Sequence, residues 1–274
     1  MISEALVETL HDVAGLELRA DEPAARHCLL RVGGPIELWL VAETEAAVEA
    51  ASGLCKEAGH RVRPVATEHF LVRDGGVDGV WLKLGAVGQG IVELDGLLDV
   101  GADHPVAALA ARAESLGEAG YQHLATRSGT VGEAFVAGFL DQRVEDLRVM
   151  RGSKATDLLP EKILDAHMLL RVRLIRFAPG EAPPVPAVRG PAYPGGVMVD
   201  PPKGSAEDMV YDAGLTGVRL HGMRICRREP NSLVNLGGSS ARDVTLLLHM
   251  IRDRIKLQTG EELIWTLKPL GRGK

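Results

Sequence analysis

Arg61-Val62-Arg63-Pro64-Val65-Ala66-Thr67-Glu68-His69-Phe70-Leu71-Val72-Arg73-Asp74 is the stretch on which the reading of this chain turns. It follows a strand–helix unit that begins at Arg31-Val32-Gly33-Gly34-Pro35, the position at which a nucleotide cofactor would be cradled. Phosphate cradles favour glycine, because a residue without Cβ lets backbone N–H groups approach an anion closely. The turn from Val65 to His69 contains no glycine.

Upstream, Ile2, Leu6, Leu10 and Val13 predict a short amphipathic helix. Ile36, Leu38 and Leu40 alternate as in a strand. Thr44 is placed to cap a helix with Ala47, Val48, Ala51, Leu54, Cys55 and Ala58 on one face, and Gly59 stops it. Val62–Val65 and Val80–Leu84 read as strands, giving a first lobe over residues 1–85.

A second lobe is expected over 86–178, with Asp103 as cap of a helix carrying Pro105 near its start. Six prolines between Ala178 and Pro194 mark an extended linker over 179–194. In the remaining lobe, 195–274, Ser205 begins a short helix. Ser240 and Asp243 resemble a capping box ahead of a helical stripe, and Glu261–Leu267 is expected to close as a strand. The fold class is α+β.

A chain of 274 residues is long enough for such lobes, and 46 % hydrophobic residues suit a globular protein. Only 4 % are aromatic and the net charge is −6 with no basic block, which argues against nucleic-acid partners. Cys28, Cys55 and Cys226 are scattered and odd in number, so no metal site is expected and a reducing compartment is. No apolar run is long enough to span a membrane and no signal peptide is evident, so the expected location is cytoplasmic.

Taken singly, the polar motifs are ambiguous. Gly33-Gly34-Pro35 and Ser128-Gly129-Thr130-Val131-Gly132 could bind an anion or simply turn the chain. Asn231 and Asn235 could present two amides to a ligand or satisfy a turn. The histidines lack ligand spacing, and no serine has a nucleophile-elbow context.

Together the motifs resemble the UDP-N-acetylenolpyruvoylglucosamine reductase family, flavoenzymes of peptidoglycan synthesis. The resemblance is carried by Glu22–His27, Arg31–Pro35, Leu71–Gly76, Ser128–Gly132, Asp200-Pro201-Pro202, Ala213–Arg219 and Asn231–Gly237, in order along nearly the whole chain. It implies an FAD-binding module of two α+β lobes, vanillyl-alcohol-oxidase-like, plus a C-terminal α+β substrate-binding domain. In that family NADPH reduces FAD, and the flavin passes hydride to an enolpyruvyl double bond. A serine or cysteine then protonates the enolate.

The chain departs from this pattern where the chemistry lies. Val65, Ala66, Thr67, Glu68 and His69 replace the glycine-rich pyrophosphate loop, and Glu133 replaces a glycine. Gly196 stands at the proton donor, Val199 at the substrate lysine, Leu158-Leu159 at a tyrosine–arginine pair and Thr266 at the closing glutamate. Glu207 and Asp208 replace a glycine and an arginine. The expectation is a non-catalytic homologue without tightly bound FAD, acting by binding or scaffolding, with a protein or a UDP-sugar as partner. The alternatives are an active FAD-dependent, NADPH-using reductase with an atypical site, and a flavin-free binder of another nucleotide through Ser128–Gly132 and Asn231/Asn235.

Overall fold

The computed structural model describes residues 1–65, 69–127, 129–164, 167–185, 196–202, 204–267 and 269–272. The chain forms two compact units, each gathered from separated stretches. Met1–Ala20, Leu38–Thr67 and Gly79–Val188 make one, and Asp21–Glu37, Glu68–Asp78 and Arg189–Lys274 the other.

In the first unit, Thr44 accepts a hydrogen bond from the Ala47 N–H and starts the helix Glu45–Glu57. Its buried Ala47, Val48, Ala51 and Cys55 pack with Leu6 and Leu10 of the helix Glu4–His11 against Leu38, Leu40, Val80 and Leu82. Those last four belong to a four-stranded sheet ordered Leu16–Pro23, Pro35–Ala42, Val77–Leu84, Val62–Val65, the final two running parallel. A second sheet of five antiparallel strands is ordered Ile91–Leu94, Leu97–Gly101, Met168–Ile175, Val144–Arg151, Lys154–Leu158. One face of this sheet holds the helix Val106–Ser115 through Leu98, Val100, Leu109, Ala113, Leu147 and Val172. Met150, Met168 and Leu170 of the second sheet sit in the core of the first, so the two sheets are packed as one body.

The proline segment leaves this unit over a fully buried arginine. Arg143 is 0 % exposed and donates to the carbonyls of Gly120, Asp141, Pro183 and Pro184 at 2.8–3.2 Å. Its guanidinium, which would be costly to bury bare, is thereby satisfied by backbone acceptors. Residues 186–194 of the expected linker lie outside the described residues.

The second unit is built on the helix Ala241–Thr259, whose Val244, Leu247, Leu248, Ile251 and Ile255 are buried. Ser240 and Asp243 form the expected capping box, and Gly260 ends the helix in the left-handed conformation. The Asp74 carboxylate adds to this cap by accepting from the N–H groups of Ala241 (2.8 Å) and Arg242 (3.1 Å). Leu30, Val32 and Leu71 complete the same core. A small antiparallel sheet, Arg219–Leu220, Met223–Ile225 and Leu233–Asn235, covers it, and Leu71–Val72 runs parallel to Pro269–Leu270. Gly34 and Gly76 lie where their backbones cross. A Cβ on Gly34 would overlap the Asp74 carbonyl, and one on Gly76 the Pro35 carbonyl.

Two local expectations are corrected. Glu261–Leu267 is not a strand: its backbone pairing among the described residues is the bridge between Trp265 and Met198, with the bonds Val199 N to Ile264 O and Thr266 N to Val197 O. The short strand is Pro269–Leu270. Asp103 does not cap its helix. The N-cap is Pro105, with no side-chain bond, because the first helical residue is Val106 and a carboxyl three residues earlier is not in capping position.

Candidate functional site

The residues singled out in the sequence fall in two places. In the first unit, Thr130 starts the helix Val131–Val136 with a capping box: its hydroxyl accepts from Glu133 N and its own N–H donates to the Glu133 carboxylate at 2.9 Å. The Val131 N–H donates to the His104 carbonyl and the Gly132 N–H to the Ala102 carbonyl, at 2.9 and 2.8 Å. Three successive N–H groups of the turn are thus committed to protein acceptors. The Gly129 carbonyl receives the Val106 N–H, fastening the turn to the neighbouring helix. Ser128 lies outside the described residues, as do Ala66, Thr67 and Glu68.

Beside this turn is a cavity of about 460 Å³. Val65, Leu82, Leu84, Phe135, Met168 and Leu169 give it an apolar wall, and Gly132 touches its edge. Asp103 and His167 are the ionisable groups on its described wall. Burial pushes the Asp103 carboxyl up to about 7, opposed by Lys83 and reinforced by Glu133. The Nδ1 of His167 accepts from the Leu164 N–H at 3.3 Å, which places the ring proton of the neutral form on Nε2.

Sequence reasoning treated Asp103 as a helix cap and did not single out His167. Pro105 was the available signal for the former: its extended backbone, φ −62° and ψ 132°, makes it the cap and leaves Asp103 free for other use. For His167 the sequence carries no comparable signal.

In the second unit, three of the expected site positions are linked by hydrogen bonds. His69 Nε2 lies 2.7 Å from Thr266 Oγ1, and the Thr266 hydroxyl donates to the buried Gly196 carbonyl at 2.8 Å. Val199 is 37 % exposed, in coil. Leu159, in the first unit, is exposed ahead of the short turn Pro160–Lys162.

The two asparagine amides are occupied by backbone. Asn231, 4 % exposed, accepts from Met198 N at 2.9 Å and donates to Met198 O at 2.8 Å. Asn235 donates to Leu30 O at 2.9 Å and accepts from Gly237 N at 2.9 Å. Of the two uses open to them in the sequence, the backbone one is the one formed. The Gly33–Pro35 turn behaves likewise, its Gly34 N–H donating to Arg73 O. Glu207 and Asp208 stand in the first turn of the helix Ala206–Asp212, capped by Ser205, where carboxylates favour the helix dipole.

Among the described residues no group of three or more His, Cys, Asp or Glu could hold a metal ion. Among them, too, no helix is long and apolar enough to cross a membrane.

Comparison with known proteins gives a consistent result. Residues 190–269 match the profile of the UDP-N-acetylenolpyruvoylglucosamine reductase C-terminal domain. The UDP-N-acetylenolpyruvoylglucosamine reductase of Geobacter sulfurreducens is 28 % identical over 93 % of this chain and 94 % of its own length. That of Rhodospirillum rubrum is 29 % identical over 98 % and 94 %. The crystal structure of the Thermus caldophilus enzyme superimposes with a TM-score of 0.70 at 22 % identity, covering 93 % of this chain and 99 % of that one, so the fold is shared. With the motif order and the α+β architecture, these matches make the chain similar along nearly its whole length to the UDP-N-acetylenolpyruvoylglucosamine reductases, with their C-terminal domain matched at residues 190–269.

Proposed function

We propose that this chain is a non-catalytic homologue of the peptidoglycan-precursor reductases, a binding or scaffolding protein that does not hold FAD tightly. The observation that carries the reading is the turn after Gly129. Its N–H groups at Thr130, Val131 and Gly132 are already bonded to Glu133, His104 and Ala102. A diphosphate using them would have to displace a cap or a backbone bond, at about 1 kcal/mol each. Two acids, Asp103 and Glu133, stand close to the same turn and oppose a further negative charge. The turn as bonded does not fit the FAD pyrophosphate, which supports this reading.

The positions assigned to chemistry by resemblance support the same reading. Gly196, Val199 and Leu159 carry no group that can donate a proton, and the Thr266 hydroxyl is engaged by Gly196 and His69. Proton transfer needs a positioned acid or base, and a missing electrostatic group costs several kcal/mol in the transition state.

The test is direct. Protein purified from cells should show no flavin absorbance, should not quench added FAD, and should not oxidise NADPH in the presence of the enolpyruvyl UDP-sugar. A stoichiometric flavin spectrum with NADPH-dependent turnover would overturn the proposal. Calorimetric titration with UDP-N-acetylmuramate and its precursors tests whether a cell-wall nucleotide is still bound.

A further inference from the structure

The reading above leaves the cavity beside Asp103 without a use. We propose that this cavity binds a compact aliphatic or aromatic amine, its apolar body against Val65, Leu84 and Phe135 and its ammonium group on the Asp103 carboxylate. The proposal rests on the absence of tightly bound FAD from this unit and adds the class of ligand that would take its place.

The cavity, about 460 Å³, is of the size that small-molecule sites have, roughly 300–1,000 Å³. Its wall is apolar with a few convergent polar groups, the usual composition of such sites. Among those groups Asp103 is the distinctive one. Its backbone N–H donates to Gly88 O and its carbonyl accepts from Gln89 Nε2, while its carboxyl takes no hydrogen bond from any described residue. A half-buried carboxyl in that state is short of donors, and burial accordingly pushes it up to about 7.

The charge around it selects the ligand. Lys83 on the strand Val77–Leu84, Glu133 on the helix Val131–Val136, His167 ahead of the strand Met168–Ile175, and the adjacent His104 are the titratable groups about it. Lys83 favours the carboxylate and Glu133 opposes it. An anionic ligand would add a third negative charge to Asp103 and Glu133. A neutral hydroxyl would supply one ordinary hydrogen bond. An ammonium group supplies a charge-assisted bond, about twice as strong, and pulls the carboxyl into its ionised form.

The test uses three probes of one shape, phenethylamine, phenethyl alcohol and hydrocinnamate, titrated calorimetrically into the full chain. Phenethylamine should bind at least about tenfold more tightly than the alcohol at pH 8, and hydrocinnamate should not bind. Amine affinity should rise about tenfold from pH 6 to pH 8, because the ammonium requires an Asp103 carboxylate that is mostly protonated at the lower value. In Asp103→Asn the preference for the amine and its pH dependence should both vanish while alcohol binding persists. If that variant does not fold, the wild-type pH profile decides alone. No binding by any probe, or hydrocinnamate binding as well as the amine, overturns the inference. A parallel FAD titration separates the two proposals: saturable FAD binding overturns the proposed function, whereas failure of both the amine and FAD to bind overturns only the inference drawn here.

Discussion

At the scale of single residues, the positions that the family gives to chemistry have become internal fasteners. Thr266 accepts from His69 and donates to Gly196, and Asn231 clasps both backbone polar groups of Met198. Thr266→Val is expected to cost about 1–2 kcal/mol in urea denaturation, the worth of lost hydrogen bonds in a half-buried place. Arg143→Met should cost more, about 3 kcal/mol or above, because it strips donors from the carbonyls of Gly120, Asp141, Pro183 and Pro184 in a site closed to solvent. Asp103 works in the opposite sense. Its carboxyl titrates near 7 when folded and near 3.8 when not, so the folded state holds the extra proton between those values. Stability should therefore fall as pH rises from about 4 to about 7, and Asp103→Asn should remove that slope and stabilise the chain at pH 8 by on the order of 1–3 kcal/mol, read from urea midpoints across pH.

At the scale of elements, the helix Ala241–Thr259 shows why the motif Leu71–Gly76 is kept when its chemical neighbours are not. Asp74 caps this helix together with Ser240, and Leu71–Val72 pairs with Pro269–Leu270. Both uses are structural. Ser240→Ala and Asp74→Ala should each cost about 1–2 kcal/mol by denaturant titration. The double variant should deviate from the sum of the two, since both groups satisfy the same helix end.

The start and buried face of this helix were legible in the sequence, because its stripe and capping box are local signals. So were the Thr44 cap and the Gly59 stop, where Gly59 takes φ +77°. What escaped the sequence was non-local. The partner of Leu71–Val72 lies at the far end of the chain, and no periodicity announces a parallel pair at that separation. The role of Asp103 was missed because a cap depends on where the first helical N–H falls, and Pro105 moved that point two residues downstream. The divergent loop around Glu68 was legible as a departure from the family; its geometry lies outside the described residues.

At the scale of the whole molecule, the profile match over 190–269 marks a stretch that is not a self-sufficient body. The second unit also needs residues 21–37 and 68–78, which bring Leu30, Val32, Leu71 and the Asp74 cap. A fragment of residues 196–272 is expected to lack a near-ultraviolet circular dichroism signal, and a folded, cooperative fragment would contradict this assignment of the core.

The same interleaving has a consequence for synthesis. Leu30, Val32 and Leu71 leave the ribosome well before the helix that shares their core, Ala241–Thr259. At about 5–20 residues per second, these apolar side chains wait on the order of ten seconds for their partners. The order of the sequence thus leaves Leu30, Val32 and Leu71 without their core partners for that interval.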